Sequence, residues 1–251
     1  TPMLQQYMAI KQEHPDVILL CRLGDFYEIF GDDAKTAAQE LEITLTSREA
    51  GKAGRIPMCG VPYHAVDRYV ARLISRGYRV AICDQVEDPK LAKGLVKREV
   101  TRVVTPGTVL EDSMLESRSN NYLVATGRRN ETYGLAVIDI STGEFLVTEM
   151  TGQGAEQRFL DEIGRLSPAE ALVPEEPDDL TARIQEACSA RFTSFSPDGF
   201  MSSRDILLKH FGTTSLRGFD CEDYTAGIDA AASVIKYLES TQPAALNHVR
   251  S

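Results

Sequence analysis

Along this chain the spacing of apolar residues changes repeatedly, and each change predicts an element. Behind Thr1-Pro2, an N-cap and first-turn pair, Leu4, Tyr7, Met8 and Lys11 recur at helical spacing. Val17–Leu23 is an almost continuous apolar run, which reads as a buried strand. Gly24-Asp25 interrupts it and Phe26–Phe30 follows. Asp32–Leu41, rich in Ala with its apolar residues toward one side, predicts a helix. Ile43–Thr46 alternates like a strand, and Arg48–Arg55 (REAGKAGR) reads as an exposed loop. Val66, Tyr69, Val70, Leu73 and Ile74 share a helical face over Tyr63–Arg76, with Gly77 as the stop. Arg79–Cys83 and Val100–Val104 predict two more strands.

Past the Thr105-Pro106-Gly107 turn signal, Leu110–Asn121 is polar and charged and reads as a seam between two domains. The pattern then becomes a meander. Strands are predicted at Tyr122–Thr126, Tyr133–Ile140 and Glu144–Met150, with turns at Arg128–Glu131 and Ser141–Gly143. Helical stretches next alternate with strands: Glu156–Arg165, then Ala171–Val173; Leu180–Ala187, then Arg191–Phe195; and Asp223–Leu238 last. Three strands in sequence followed by β/α alternation predict one mixed sheet with helices on its faces. Both halves are therefore expected to be α/β.

The 251 residues suffice for one large domain or two ordinary ones, and 43% apolar with 25% charged is an ordinary globular composition. No apolar run approaches a membrane span, and the N-terminus has no secretory pattern. The chain begins at Thr1 rather than Met, which reads as processing or excision from something longer. Cys21, Cys59, Cys83, Cys188 and Cys221 are odd in number and widely spaced, without a C-x-x-C. Neither a disulfide framework nor a zinc site is predicted, and a reducing cytoplasm is. The net charge of −10 is unevenly shared, with −2 on residues 1–117 and −8 on the remainder. Taken alone, that balance speaks against a dedicated nucleic-acid binder.

Enzyme signatures are absent: no P-loop, dinucleotide fingerprint, G-x-S-x-G or H-E-x-x-H occurs. His64 falls at the start of a helix pattern, where a structural role is the simpler reading. Asp139 ends a predicted strand directly before a hairpin, a setting in which ribonuclease-H-like nucleases hold a metal. Two-metal chemistry needs several converging carboxylates, and no spacing brings Asp223 or Asp229 to Asp139. A metal-dependent nuclease is nevertheless the alternative of a different class.

The segment Gly24–Glu28 (GDFYE) is more informative. A tight turn at Gly24-Asp25 would set Phe26 at an exposed tip. Period-2 alternation then puts Phe26 and Glu28 on one face and Tyr27 and Ile29 on the other. An aromatic wedge is what unstacks a base step from the minor groove. Spacing alone leaves an ordinary core Phe26 and an edge-strand Glu28 as the simpler alternative. Arg48, Lys52 and Arg55 in the following glycine-containing loop match a polyanion, although a solvated charged loop would look the same. The adjoining Ile56–Pro62 is too apolar for a plain linker; Met58 within it either is buried or presses on a groove.

These stretches also carry a resemblance. TPMLQQY (1–7), GDFYEIF (24–30), IPMCGVPYHAV (56–66), VAICDQ (80–85), VVTPGT (103–108) and DISTG (139–143), in this order and with Arg250-Ser251 at the end, resemble the N-terminal part of the MutS family of DNA mismatch-repair proteins. The resemblance implies a mismatch-recognition domain over residues 1–116 and a ribonuclease-H-like α/β connector domain over 117–251. It also implies that the family's clamp, lever and ATPase regions are absent here, so that ATP and magnesium belong to a part not in this chain. By the same mapping Phe26 stacks on a mispaired or unpaired base and Glu28 hydrogen-bonds it. Arg48, Lys52, Arg55 and Met58 are candidate backbone or groove contacts. The implied partners are mismatched double-stranded DNA, a second copy in a homodimer, and MutL through the connector; no membrane and no catalytic or metal residue is implied.

Overall fold

The computed structural model describes residues 2–51, 54–87, 94, 96–109, 120–176, 178–197 and 201–249. They form two compact units, Thr1–Thr105 and Pro106–Ser251. The boundary expected at residues 116 and 117 lies outside the described residues, as does Lys52.

The first unit is built on a six-stranded mixed sheet. Its strands are β1 (Ile18–Leu23), β2 (Phe26–Phe30), β3 (Thr46–Glu49), β4 (Arg55–Pro62), β5 (Val80–Gln85) and β6 (Arg98–Val104), in spatial order β3-β4-β2-β1-β5-β6. Only the β1–β5 pair is parallel; the others are antiparallel. Helix α1 (Pro2–Glu13) covers one face, where Leu4, Tyr7 and Ile10 pack with Leu19, Cys21, Phe30 and Cys83. The Tyr7 hydroxyl donates to the Leu19 carbonyl at 3.1 Å and accepts from the Phe30 amide at 3.2 Å. Burial pushes its ionisation well above the ordinary tyrosine range, so it remains a neutral bridge between helix and sheet. Helices α2 (Gly31–Leu41) and α3 (Val66–Ser75) supply the remaining apolar faces, Ala34, Ala37 and Leu41 from one and Val70 and Leu73 from the other.

Several expected boundaries move. The strand expected at Ile43–Thr46 is β3 at Thr46–Glu49, because Glu42 ends α2 in a left-handed conformation (φ 56°) and pairing with β4 starts only at Thr46. Arg48–Arg55 is therefore not a free loop. Arg48 lies on β3 and Arg55 opens β4, with Glu49 opposite Arg55 across the hairpin. The apolar Ile56–Pro62 is the body of β4. Tyr63–Ala65 forms a 3₁₀ turn ahead of α3, and His64 is exposed in it.

The second unit has a five-stranded sheet of order β11-β10-β7-β8-β9. Strands β7 (Tyr122–Arg129), β8 (Thr132–Asp139) and β9 (Glu144–Met150) form an antiparallel meander, and β10 (Glu170–Val173) and β11 (Arg191–Ser194) add in parallel. Helices α4 (Ala155–Leu166) and α5 (Asp179–Ala187) pack on one apolar cluster with Leu135, Val137 and Phe159. Helices α6 (Ser203–Phe211) and α7 (Ala226–Thr241) pack on the other, with Leu123, Ile138 and Ile235. Helix α6 has no counterpart in the sequence reading; Ser202 caps it through the Asp205 amide at 3.1 Å. Helix α7 lies tight on the meander because Gly127 and Gly134 have no Cβ, which would overlap the Ala226 carbonyl. Glu170 is fully buried and accepts from Thr193, from Tyr237 (2.7 Å each) and from the Gly107 amide (3.0 Å). It ties residues 106–108 to the sheet. Among the described residues no helix is long and apolar enough to cross a membrane.

Candidate nucleic-acid interface

The β1–β2 hairpin turns through Gly24-Asp25, with Leu23 opposite Phe26. Gly24 takes φ +61°, the sign that a two-residue hairpin turn demands and that a Cβ disfavours. The register puts Phe26 at the tip, and 48% of it is exposed. Tyr27 and Ile29 are buried at 3% and 0%, so the alternation places Phe26 and Glu28 on the opposite face of the strand.

That face continues onto β4 and β3. Gly60 lies directly across from Glu28, and Met58 across from both Phe30 and Thr46. A Cβ at Gly60 would stand 3.7 Å from the Phe26 ring and 3.8 Å from Cγ of Glu28, so the bare glycine forms the floor between them. Met58 packs partly against the α1-side core. Arg48 reaches across from β3, and its Nη1 donates to Oε2 of Glu28 at 2.5 Å. Arg55 instead holds the Ser47 hydroxyl (2.7 Å) and carbonyl (2.9 Å). Phe26, Glu28, Arg48 and Met58 thus share one sheet face, while Arg55 braces the hairpin beside it.

The tip is supported from behind. Arg22 donates to the Gly24 carbonyl at 2.6 Å and its guanidinium lies 3.3 Å from the centre of the Tyr63 ring. The Tyr63 amide closes onto the Asp25 carbonyl at 2.9 Å. Buried Arg98 donates to the Arg22 carbonyl (3.0 Å) and to Gln6 (3.1 Å), fixing the end of β1 against α1. The Tyr27 hydroxyl donates to Asp84 at 2.6 Å; burial first, and the neighbouring carboxylate second, push its ionisation up. Sequence reasoning missed Gly60, Tyr63 and Arg98. Only the Gly inside an apolar strand pattern gave a local signal, the one that marks a close approach.

Asp139 is used differently from a metal ligand. It is buried at 1%, and its Oδ1 accepts from the Ser141 amide (3.0 Å) and hydroxyl (2.6 Å) while Oδ2 accepts from the Asn121 amide (3.1 Å). It caps the Ser141–Gly143 turn. Asp229 is held by Arg129 and Ser203. Among the described residues no group of three His, Cys, Asp or Glu side chains converges as a metal site would. The geometry gives the nuclease alternative no support.

Two family descriptions match the chain: MutS domain I over residues 1–113 and MutS domain II over residues 121–250. The DNA mismatch repair protein MutS of Syntrophomonas wolfei is 49% identical across 100% of this chain and 30% of its own length. Those of Ruminiclostridium cellulolyticum (48%, 100% and 29%) and Symbiobacterium thermophilum (49%, 99% and 29%) are similar to the same extent. The chain spans about three tenths of the length of these relatives, and its sequence contains no P-loop. With domain I matched to the first half and domain II to the second, the chain belongs to the MutS family of DNA mismatch-repair proteins.

Proposed function

We propose that the first unit reads mispaired or unpaired bases in double-stranded DNA, with Phe26 as the stacking wedge and Glu28 as the hydrogen-bond acceptor for the displaced base. The observation that carries this is the half-exposed Phe26 ring at a hairpin tip, beside Glu28 and over the bare Gly60. Kinking a duplex costs a few kcal/mol per unstacked step, and a mismatched step is already poorly stacked. A stacked ring returns about 1–3 kcal/mol. Phosphates repel a carboxylate in the minor groove unless a base donates to it, so Glu28 disfavours matched duplex. Arg48, which reaches Glu28, and Arg55 at the start of β4 are candidate backbone contacts, as is Lys52, and Met58, on the same sheet face as Phe26, is a candidate groove contact.

We further propose that the second unit is a ribonuclease-H-like connector, a reading supported by its three sequential antiparallel strands followed by two parallel ones. In the full-length protein it would link the recognition unit to an ATPase region that binds ATP and magnesium. The net charge of −8 on residues 118–251 suits protein contacts, with MutL as the proposed partner and a second copy as the other. The expected compartment is the cytoplasm.

The wedge is tested with 2-aminopurine at the unpaired position of a duplex. Binding of the full-length protein should change its fluorescence, and Phe26→Ala should abolish the change while the duplex remains bound. An unchanged signal with Phe26→Ala would remove the stacking role.

A further inference from the structure

We propose that Arg48 is the resident counter-cation of Glu28 and sets how strongly that carboxylate penalises matched duplex. The inference rests on the base-reading role proposed for Glu28 and adds a residue that tunes it.

Arg48 and Glu28 meet at 2.5 Å although 20 residues separate them in sequence. The register explains how: Arg48 faces Ile56 on one side of β4 and Glu28 faces Gly60 on the other, so both side chains project from the same sheet face and the long arginine reaches across β4. The Glu28 side chain is only 18% exposed against 45% for Arg48. The carboxylate is thus the enclosed member and the guanidinium the member that reaches solvent. The hairpin's other described arginine, Arg55, is bound to the neutral oxygens of Ser47 and keeps its charge available. The charge of Arg48 is cancelled locally.

Glu28 therefore has two competing donors when DNA arrives, Arg48 and a displaced base. On matched duplex no base donor reaches Glu28, and Arg48 staying in place offsets part of the carboxylate's repulsion. At a mismatch the displaced base donates to Glu28 in place of Arg48, so the carboxylate stays compensated without the arginine. Removing Arg48 leaves Glu28 bare on matched duplex and harms matched binding more than mismatched binding. A plain phosphate contact behaves otherwise: its loss weakens both duplexes alike and lowers the salt slope by about one.

The experiment is a four-protein cycle in the full-length protein: unmodified, Arg48→Ala, Glu28→Gln and the double variant, with Phe26→Ala as reference. Dissociation constants for a one-base-loop duplex and its matched counterpart are measured at two salt concentrations. Arg48→Ala should raise the mismatch-to-match preference about two- to fivefold, the range an exposed ion pair supports. In the Glu28→Gln background it should leave the preference unchanged. Arg48→Gln, which keeps hydrogen-bond donors without the charge, should behave like Arg48→Ala and carries the test if the alanine variant fails to fold. Equal losses on both duplexes in both backgrounds would overturn the proposal while leaving the wedge intact. Preference surviving Phe26→Ala and Glu28→Gln would instead overturn the underlying reading of the site.

Discussion

Gly60 faces Glu28 across the β2–β4 pair with no side chain of its own, and the space it leaves is shared by the Phe26 ring and the Glu28 stem. Its backbone has no need of glycine, since its φ is not in the left-handed region. What matters is room. A Cβ there would meet the Tyr27 carbonyl at 3.4 Å and the Phe26 ring at 3.7 Å, ordinary contact distances, so Gly60→Ala should fold with little change. Gly60→Val adds two methyl groups beneath the wedge. It should keep its unfolding midpoint within the roughly 1 kcal/mol span of strand propensities. Mismatch preference should fall about tenfold, within what one stacked ring supplies. Full preference in a folded Gly60→Val protein, measured by competition binding, would contradict the arrangement.

The second unit depends on glycine for a different reason. At Gly134 a Cβ would overlap backbone atoms of Ala226 and Gly227, which cannot rotate away as a side-chain end can. Gly134→Ala should therefore destabilise this unit by about 3 kcal/mol, the upper part of the usual overpacking range. Urea unfolding followed by circular dichroism reads the effect. A loss under about 0.5 kcal/mol, the size of an ordinary surface change, would mean that α7 is not seated as described.

Much of this arrangement is written in local pattern. The Gly24-Asp25 turn and the alternation through Phe26–Phe30 allow an exposed ring beside a carboxylate but leave a core Phe26 as the simpler alternative, and the structure puts 48% of Phe26 in solvent. The meander of β7–β9 follows from its turns in the same way. What escapes the pattern is pairing between distant segments. Strand β4 contains Pro57, Gly60 and Pro62, residues that argue against a paired strand, yet it lies between β2 and β3. Without β4 there is no register for β3, and so no way to bring Arg48 onto Glu28. Helix α6 hides behind a weakly amphipathic sequence and shows itself only through the Ser202 cap.

By itself the 251-residue chain should bind a mismatched duplex weakly. One stacked ring contributes about 1–3 kcal/mol, whereas association costs an estimated 4–15 kcal/mol in lost freedom. A first half of net charge −2, with Arg48 already paired, neutralises few phosphates. Fluorescence anisotropy at physiological salt should show no submicromolar, mismatch-selective complex. Such a complex would mean that these two units alone hold the affinity.

The central claim is that Phe26 converts an unstacked base step into binding energy. In the full-length protein, Phe26→Ala should leave folding intact, because the ring is half exposed at a hairpin tip. The direct measurement is competition between a G·T or one-base-loop duplex and its matched counterpart for this variant. Mismatch binding should drop to the matched-duplex level; retained discrimination would contradict a stacking role for Phe26.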